Sequence, residues 1–151
     1  MICMLKYFMK EALKEAEKAL EEGEIPVGAV IARGGKIISR AHNLKETLND
    51  PTAHAEILAI RQAAGVLENW RLDGCDLYVT VEPCPMCAGA IVQARIDKLV
   101  YGVMDFKAGA CGSVFNIVQE ERLNHRVEII SGIMEDDCGN LLKAFFKNLR
   151  I

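Results

Sequence analysis

Two short stretches constrain this 151-residue chain more than anything else in it: His54-Ala55-Glu56 and Pro83-Cys84-Pro85-Met86-Cys87. Each stands where a turn or strand gives way to a nearly all-apolar run, over 55–64 in one case and 86–94 in the other. Such runs read as buried helices, which puts both motifs at helix starts. Positions three apart share a helix face, so Cys84 and Cys87 can point two sulfurs at one metal ion. The partial positive charge of a helix N-terminus favours thiolate over thiol. His54 supplies a third ligand from the other helix, and the donor set suits zinc. Three protein ligands leave one tetrahedral position for water, which separates a catalytic zinc site from a structural one. A closed site completed by Cys75 or Cys111 is the alternative that spacing leaves standing.

Glu56 lies two residues beyond His54 and need not bind metal. At that offset it can sit beside the open position as a general base, then hand the proton on to a substrate nitrogen. Activated water, a proton shuttle and a dry pocket between apolar helices are the parts that hydrolytic deamination of a flat base requires. A zinc-holding scaffold without activity is a second alternative, but it would have no use for Glu56.

The remainder of the chain reads as one ordered domain over 1–151, at 51% hydrophobic and 26% charged residues, with no linker or repeat. Leu5, Phe8, Met9, Ala12, Ala16, Ala19 and Leu20 recur at helical spacing and predict an amphipathic helix ending near Gly23. Strands are predicted over 26–32 and 36–41, joined by a hairpin at Gly34-Gly35, and over 75–81, 98–103 and 127–133. Leu141, Leu142, Phe145 and Leu149 form the stripe of a C-terminal helix, and a weaker helical signal covers 115–123. Strands alternating with helices imply an α/β layer structure with a mixed sheet. Lys6 interrupts the apolar N-terminus and no cleavage site follows. No run is long enough to span a bilayer. The expected location is the cytoplasm, where six cysteines stay free or bind metal.

Residues flanking the two motifs carry a resemblance. They are Pro26-Val-Gly-Ala-Val30, His42-Asn43, Asp50-Pro-Thr-Ala-His-Ala-Glu56, Leu77-Tyr-Val-Thr-Val-Glu-Pro-Cys84, Met86-Cys-Ala-Gly-Ala90, Asn124-His-Arg-Val-Glu128 and Phe145-Phe146. On these, from about Tyr7 to its C-terminus, the chain resembles the bacterial tRNA-specific adenosine deaminases. The H-x-E and P-C-x-x-C pair marks the wider cytidine deaminase-like superfamily. The resemblance implies a three-layer α/β/α fold with a mixed five-stranded sheet flanked by helices, a homodimer, and one zinc per subunit. It implies hydrolytic conversion of adenosine to inosine at the wobble position of a tRNA anticodon stem-loop. It also implies that Asn43 hydrogen-bonds the target base, and that Val27 and Ala55 help to form the substrate site. A carboxamide offers both donor and acceptor to a purine edge, although an Asn after a strand is also a common turn residue.

Other positions carry two readings each. Asp105, Phe106 and Lys107 fall in a loop where the family meets RNA, so Lys107 is either a phosphate contact or a solvated lysine. Lys143, Lys147 and Arg150 lie along one helix face, as an RNA-facing stripe or a solvated one. Gly109-Ala-Cys-Gly-Ser113 reads as a turn or as amides near phosphate. Glu82 reads as support for the metal helix, His125 as a structural hydrogen-bonding residue. Phe145 is expected to pack inward, and Phe146 to border the pocket or a dimer partner. The formal net charge of −3 argues against a nucleic-acid binder, although local potential governs binding more than the sum. It favours the rival function, a deaminase of a free base or nucleoside of the guanine or cytosine type with the same zinc site.

Overall fold

The computed structural model describes residues 1–149. Its helices are α1 (Ile2–Glu21), α2 (Ala55–Leu67), α3 (Pro85–Ala94) and α4 (Glu135–Leu149), and its strands β1 (Gly28–Arg33), β2 (Lys36–His42), β3 (Cys75–Val81), β4 (Lys98–Val103) and β5 (Glu128–Ile130). The strands form one sheet in the order β2-β1-β3-β4-β5. β1 runs antiparallel to β2 and β3, while β3, β4 and β5 run parallel. The period of two along a strand sorts the central side chains into two cores. Ala29, Ile31, Leu77, Val79, Leu99 and Tyr101 pack against α2 and α3. Val30, Ala32, Tyr78 and Val100 face the opposite way, onto Leu5, Phe8, Met9 and Ala12 of α1 and Cys138 of α4. The result is the expected mixed five-stranded sheet between two helical layers.

Helix α1 lies so close to the sheet that Gly28 has no room for a side chain; a Cβ there would strike the Ala12 carbonyl and the Ala16 amide. The edge strand β2 is tied to the same helix by polar side-chain contacts. Arg40 pairs with Glu11 at 3.0 Å, and His42 reaches Glu15 at 3.2 Å and Glu22 at 3.0 Å. Both Glu11 and Glu15 are buried.

Three features differ from the sequence reading. β5 has three paired residues rather than seven, because the chain turns at Gly132 with φ of 80°. The 115–123 segment contains only a 3-10 turn at Ile117–Gln119. Helices α2 and α3 are buried on one side only: Val66 on α2 and Met86 on α3 are exposed. No helix among the described residues is long and apolar enough to cross a membrane.

Candidate active site

The two motifs meet where α2 and α3 begin. His54 is the N-cap residue of α2 and Cys84 that of α3, both with extended backbone. Pro85 follows at the first helical position of α3, where its missing amide proton costs nothing. Cys87, one turn on, is fully buried. His54 Nδ1 lies 3.6 Å from Cys84 Sγ and 3.5 Å from Cys87 Sγ. All three ligand atoms lie within 4.8 Å of one another. Tetrahedral zinc, with bonds of about 2.0 Å to nitrogen and about 2.3 Å to sulfur, sets such atoms about 3.5 Å apart. The donor set and its spacing therefore fit zinc. Cys75 and Cys111 are not part of this cluster among the described residues. Cys111 is buried, with its sulfur 4.0 Å from the Pro83 carbonyl.

The thiols and the carboxylate beside them are strongly perturbed. A hydrogen bond from Cys87 stabilises the Cys84 thiolate, and together with His54 it holds that thiol down at about 4. Cys84 in turn raises the His54 imidazole above its ordinary range. Glu56, in the first turn of α2, is 4% exposed. Burial is the main cause that pushes its carboxyl up to about 7.

A cavity of about 580 Å³ opens in front of these groups. His54, Ala55, Glu56 and Cys84 line it together with Val27 and Asn43. Asn43 is buried and its carboxamide is engaged at both ends: Nδ2 donates to the Ile25 carbonyl at 3.4 Å, and Oδ1 accepts from the Lys45 amide at 3.1 Å. Phe106, Lys107 and, from α4, Leu142 and Phe146 complete the lining named here. Phe145 is half-buried and meets Phe146 edge-on at 5.3 Å, and Phe146 lines the cavity. Lys143 and Lys147 are exposed on α4 and do not line the cavity. Arg150 lies outside the described residues. His125 accepts its structural reading, its Nε2 donating to the Ile96 carbonyl at 2.7 Å.

Two residues escaped the sequence reading. Lys45 lines the cavity; its only local signal is position, two residues past Asn43. Glu24 is wholly buried and accepts from the Glu46 amide, the Thr47 amide and the Thr47 hydroxyl at 3.1, 2.7 and 2.7 Å. It thereby pins the loop that follows Asn43. An acid directly ahead of an apolar strand was its one trace in the sequence.

Residues 4–150 match the MafB19-like deaminase family. The tRNA-specific adenosine deaminase of Bacillus subtilis is 55% identical over 143 residues, covering 95% of this chain and 89% of that protein. A solved structure from a study of A-to-I editing by tRNA:A34 deaminases at the wobble position of transfer RNA superimposes with a TM-score of 0.87. It is 46% identical and covers 90% of this chain and 99% of that one. A guanine deaminase structure from Bacillus subtilis is also similar, with a TM-score of 0.62 and 47% identity over 65% of this chain and 63% of that one.

Proposed function

We infer the reaction from kinship: the chain belongs to the tRNA-specific adenosine deaminase family, and it hydrolyses adenosine to inosine at the wobble position of tRNA. Water adds to the purine carbon that bears the amino group, and ammonia leaves. The observation that carries the chemistry is the convergence of His54, Cys84 and Cys87 beside a buried Glu56, with His54, Cys84 and Glu56 lining one cavity.

His54 Nδ1 and the two sulfurs would hold one zinc ion per chain. Zinc bound there supplies the Lewis acidity that makes water nucleophilic near neutral pH. Glu56 takes one proton from the attacking water and delivers it to the ring nitrogen; it then takes the remaining proton of the added hydroxyl and delivers it to the amino group, which leaves as ammonia as the carbonyl forms. A carboxyl near 7 can accept and release a proton at working pH with little penalty in either direction. Asn43 addresses the purine edge with a carboxamide whose plane is already fixed by Ile25 and Lys45. Val27 and Ala55 line the cavity around the ring and keep out water. Lys107 meets backbone phosphate.

The substrate is an anticodon stem-loop, whose loop bases are partly unstacked and enter a pocket without opening a duplex. The active form is a homodimer that covers the exposed apolar side chains on α2 and α3, and the enzyme works in the cytoplasm as one domain over 1–151. The test is turnover of an anticodon stem-loop with wobble adenosine against free guanine and free cytosine, read as inosine or as released ammonia. Conversion of the stem-loop alone is expected. Efficient turnover of a free base with none of the stem-loop would overturn the tRNA assignment and leave the zinc chemistry standing.

A further inference from the structure

The loop that follows β4 folds around a buried carboxylate. Glu82 is 3% exposed. Its Oε1 accepts from the Asp105 amide at 3.0 Å; its Oε2 accepts from the amides of Cys111 and Ser113 at 2.9 and 3.0 Å. All three donors belong to the backbone of one loop. The loop also closes on itself. Asp105 Oδ1 accepts from the amides of Lys107 and Ala108 at 3.0 and 3.1 Å, and Ser113 Oγ donates to the Asp105 carbonyl at 2.8 Å. Gly109 has no space for a Cβ, which would strike Ser113 Oγ and the Glu82 carboxyl. The backbone is therefore wrapped on the carboxylate at contact distance.

Glu82 itself and Asp105, Phe106 and Lys107 of the same loop line the cavity. Phe106 is 77% exposed and Lys107 is exposed beside it. An aromatic ring and a lysine suit a stacked base and a phosphate, and holding them in place beforehand removes the ordering cost of binding. Glu82 is also two residues from Cys84, so support of the metal-binding turn is the competing role.

We propose that Glu82 is a positioning residue for RNA recognition, holding the 105–113 loop so that Phe106 and Lys107 meet the nucleotides that flank the target adenosine. This rests on the tRNA reading above. The two roles divide between different observables. A loosened loop weakens binding that ground state and transition state share, and so raises KM more than it lowers kcat. A loosened metal turn empties the site or lowers kcat.

Glu82→Gln keeps the shape but sets an amide NH2 against backbone donors. Gly109→Ala opens the same contact from the loop side. In each variant, hydrogen exchange at the Cys111 and Ser113 amides is expected to quicken by roughly tenfold, as loss of their buried acceptor implies. Zinc content stays at the wild-type level. KM for the anticodon stem-loop rises on the order of tenfold, with a smaller fall in kcat. Zinc loss, a fall in kcat at unchanged KM, or unaltered exchange at both amides would each overturn the proposal. Should the wild-type protein itself fail to convert the stem-loop, the tRNA reading fails and takes the role in RNA recognition with it, while the exchange data still report whether the clasp exists.

Discussion

Glu56 is a carboxylate kept out of water at the first turn of a helix, where burial outweighs every stabilising contact and lifts its pKa to about 7. That position suits a group that must gain and lose a proton in each turnover. Glu56→Ala should leave zinc content unchanged and lower turnover by at least on the order of a hundredfold; a zinc-replete variant with near-normal rates would remove Glu56 from the chemistry. The metal ligands divide the cysteines in the same way. Metal analysis should find about one zinc per chain in Cys75→Ser and Cys111→Ser, and little in Cys84→Ser or Cys87→Ser. If either of the first two empties the site, the three-ligand geometry is wrong. The His54-Cys84-Cys87 cluster and Glu56 beside it are legible in the sequence because their spacing is local: two side chains one helical turn apart, and a third two residues ahead of Glu56. The cavity walls were not. Lys45, Met104 and Leu142 come together only through the packing of loops and α4, and no short-range pattern records that. Asn43 was reached through resemblance, and its fixed carboxamide plane is visible only in three dimensions.

Elements were read well where periodicity is long and poorly where the ladder is short. Strands β3 and β4 have the boundaries expected from their apolar runs. β5 does not, because Val127 donates to the Val118 carbonyl and Gly132 to the Gly102 carbonyl instead of extending the ladder. The 115–123 segment imitates a helix through Val118, which is buried from a single 3-10 turn. The C-terminal helix starts at Glu135, ahead of its apolar stripe, because Glu135, Asp136 and Asp137 occupy the dipole-favoured first turn. The contact of α1 with the sheet yields a prediction at this scale. Gly28→Ala forces a methyl into the helix backbone and should cost about 1–3 kcal/mol or more. In a chain of this size each kcal/mol lowers Tm by about 2–4 °C. Gly139→Ala should act in the opposite direction. Gly139 lies inside α4, its Cβ would sit 4.0 Å from the Val103 methyl, and a helical Gly-to-Ala change gains roughly 0.5–1 kcal/mol. Thermal melts of the two variants beside the wild type test both signs; a neutral Gly28→Ala would mean that α1 can move away from β1 freely.

At the scale of the whole molecule, an acidic protein has to hold a polyanion. The formal net charge is −3, and the first 24 residues alone carry four lysines against six glutamates. Two of those acids are neutralised within the fold: Glu11 by Arg40 and Lys14, Glu15 by Lys18. Four of the lysines outside these networks lie at the cavity or beside residues that line it. Lys45 and Lys107 line the cavity, and Lys143 and Lys147 follow Leu142 and Phe146, the α4 residues that border it. A local positive field at the mouth is compatible with a negative sum, since association responds to the potential at the site. Each lysine that neutralises a phosphate releases counterions, so the logarithm of affinity falls with the logarithm of salt by about 0.7 per contact on single-stranded RNA. Replacing Lys107, Lys143 and Lys147 together with alanine should therefore weaken stem-loop binding and flatten that slope by up to about 2 if all three meet phosphate. Asn43→Ala should lower turnover and leave the slope as it was, because a base contact releases no counterions. Binding of the anticodon stem-loop measured across a salt series separates the cases. A triple variant with the wild-type slope would make these lysines solvated surface and move the phosphate contacts to Lys45 and other cations of the chain.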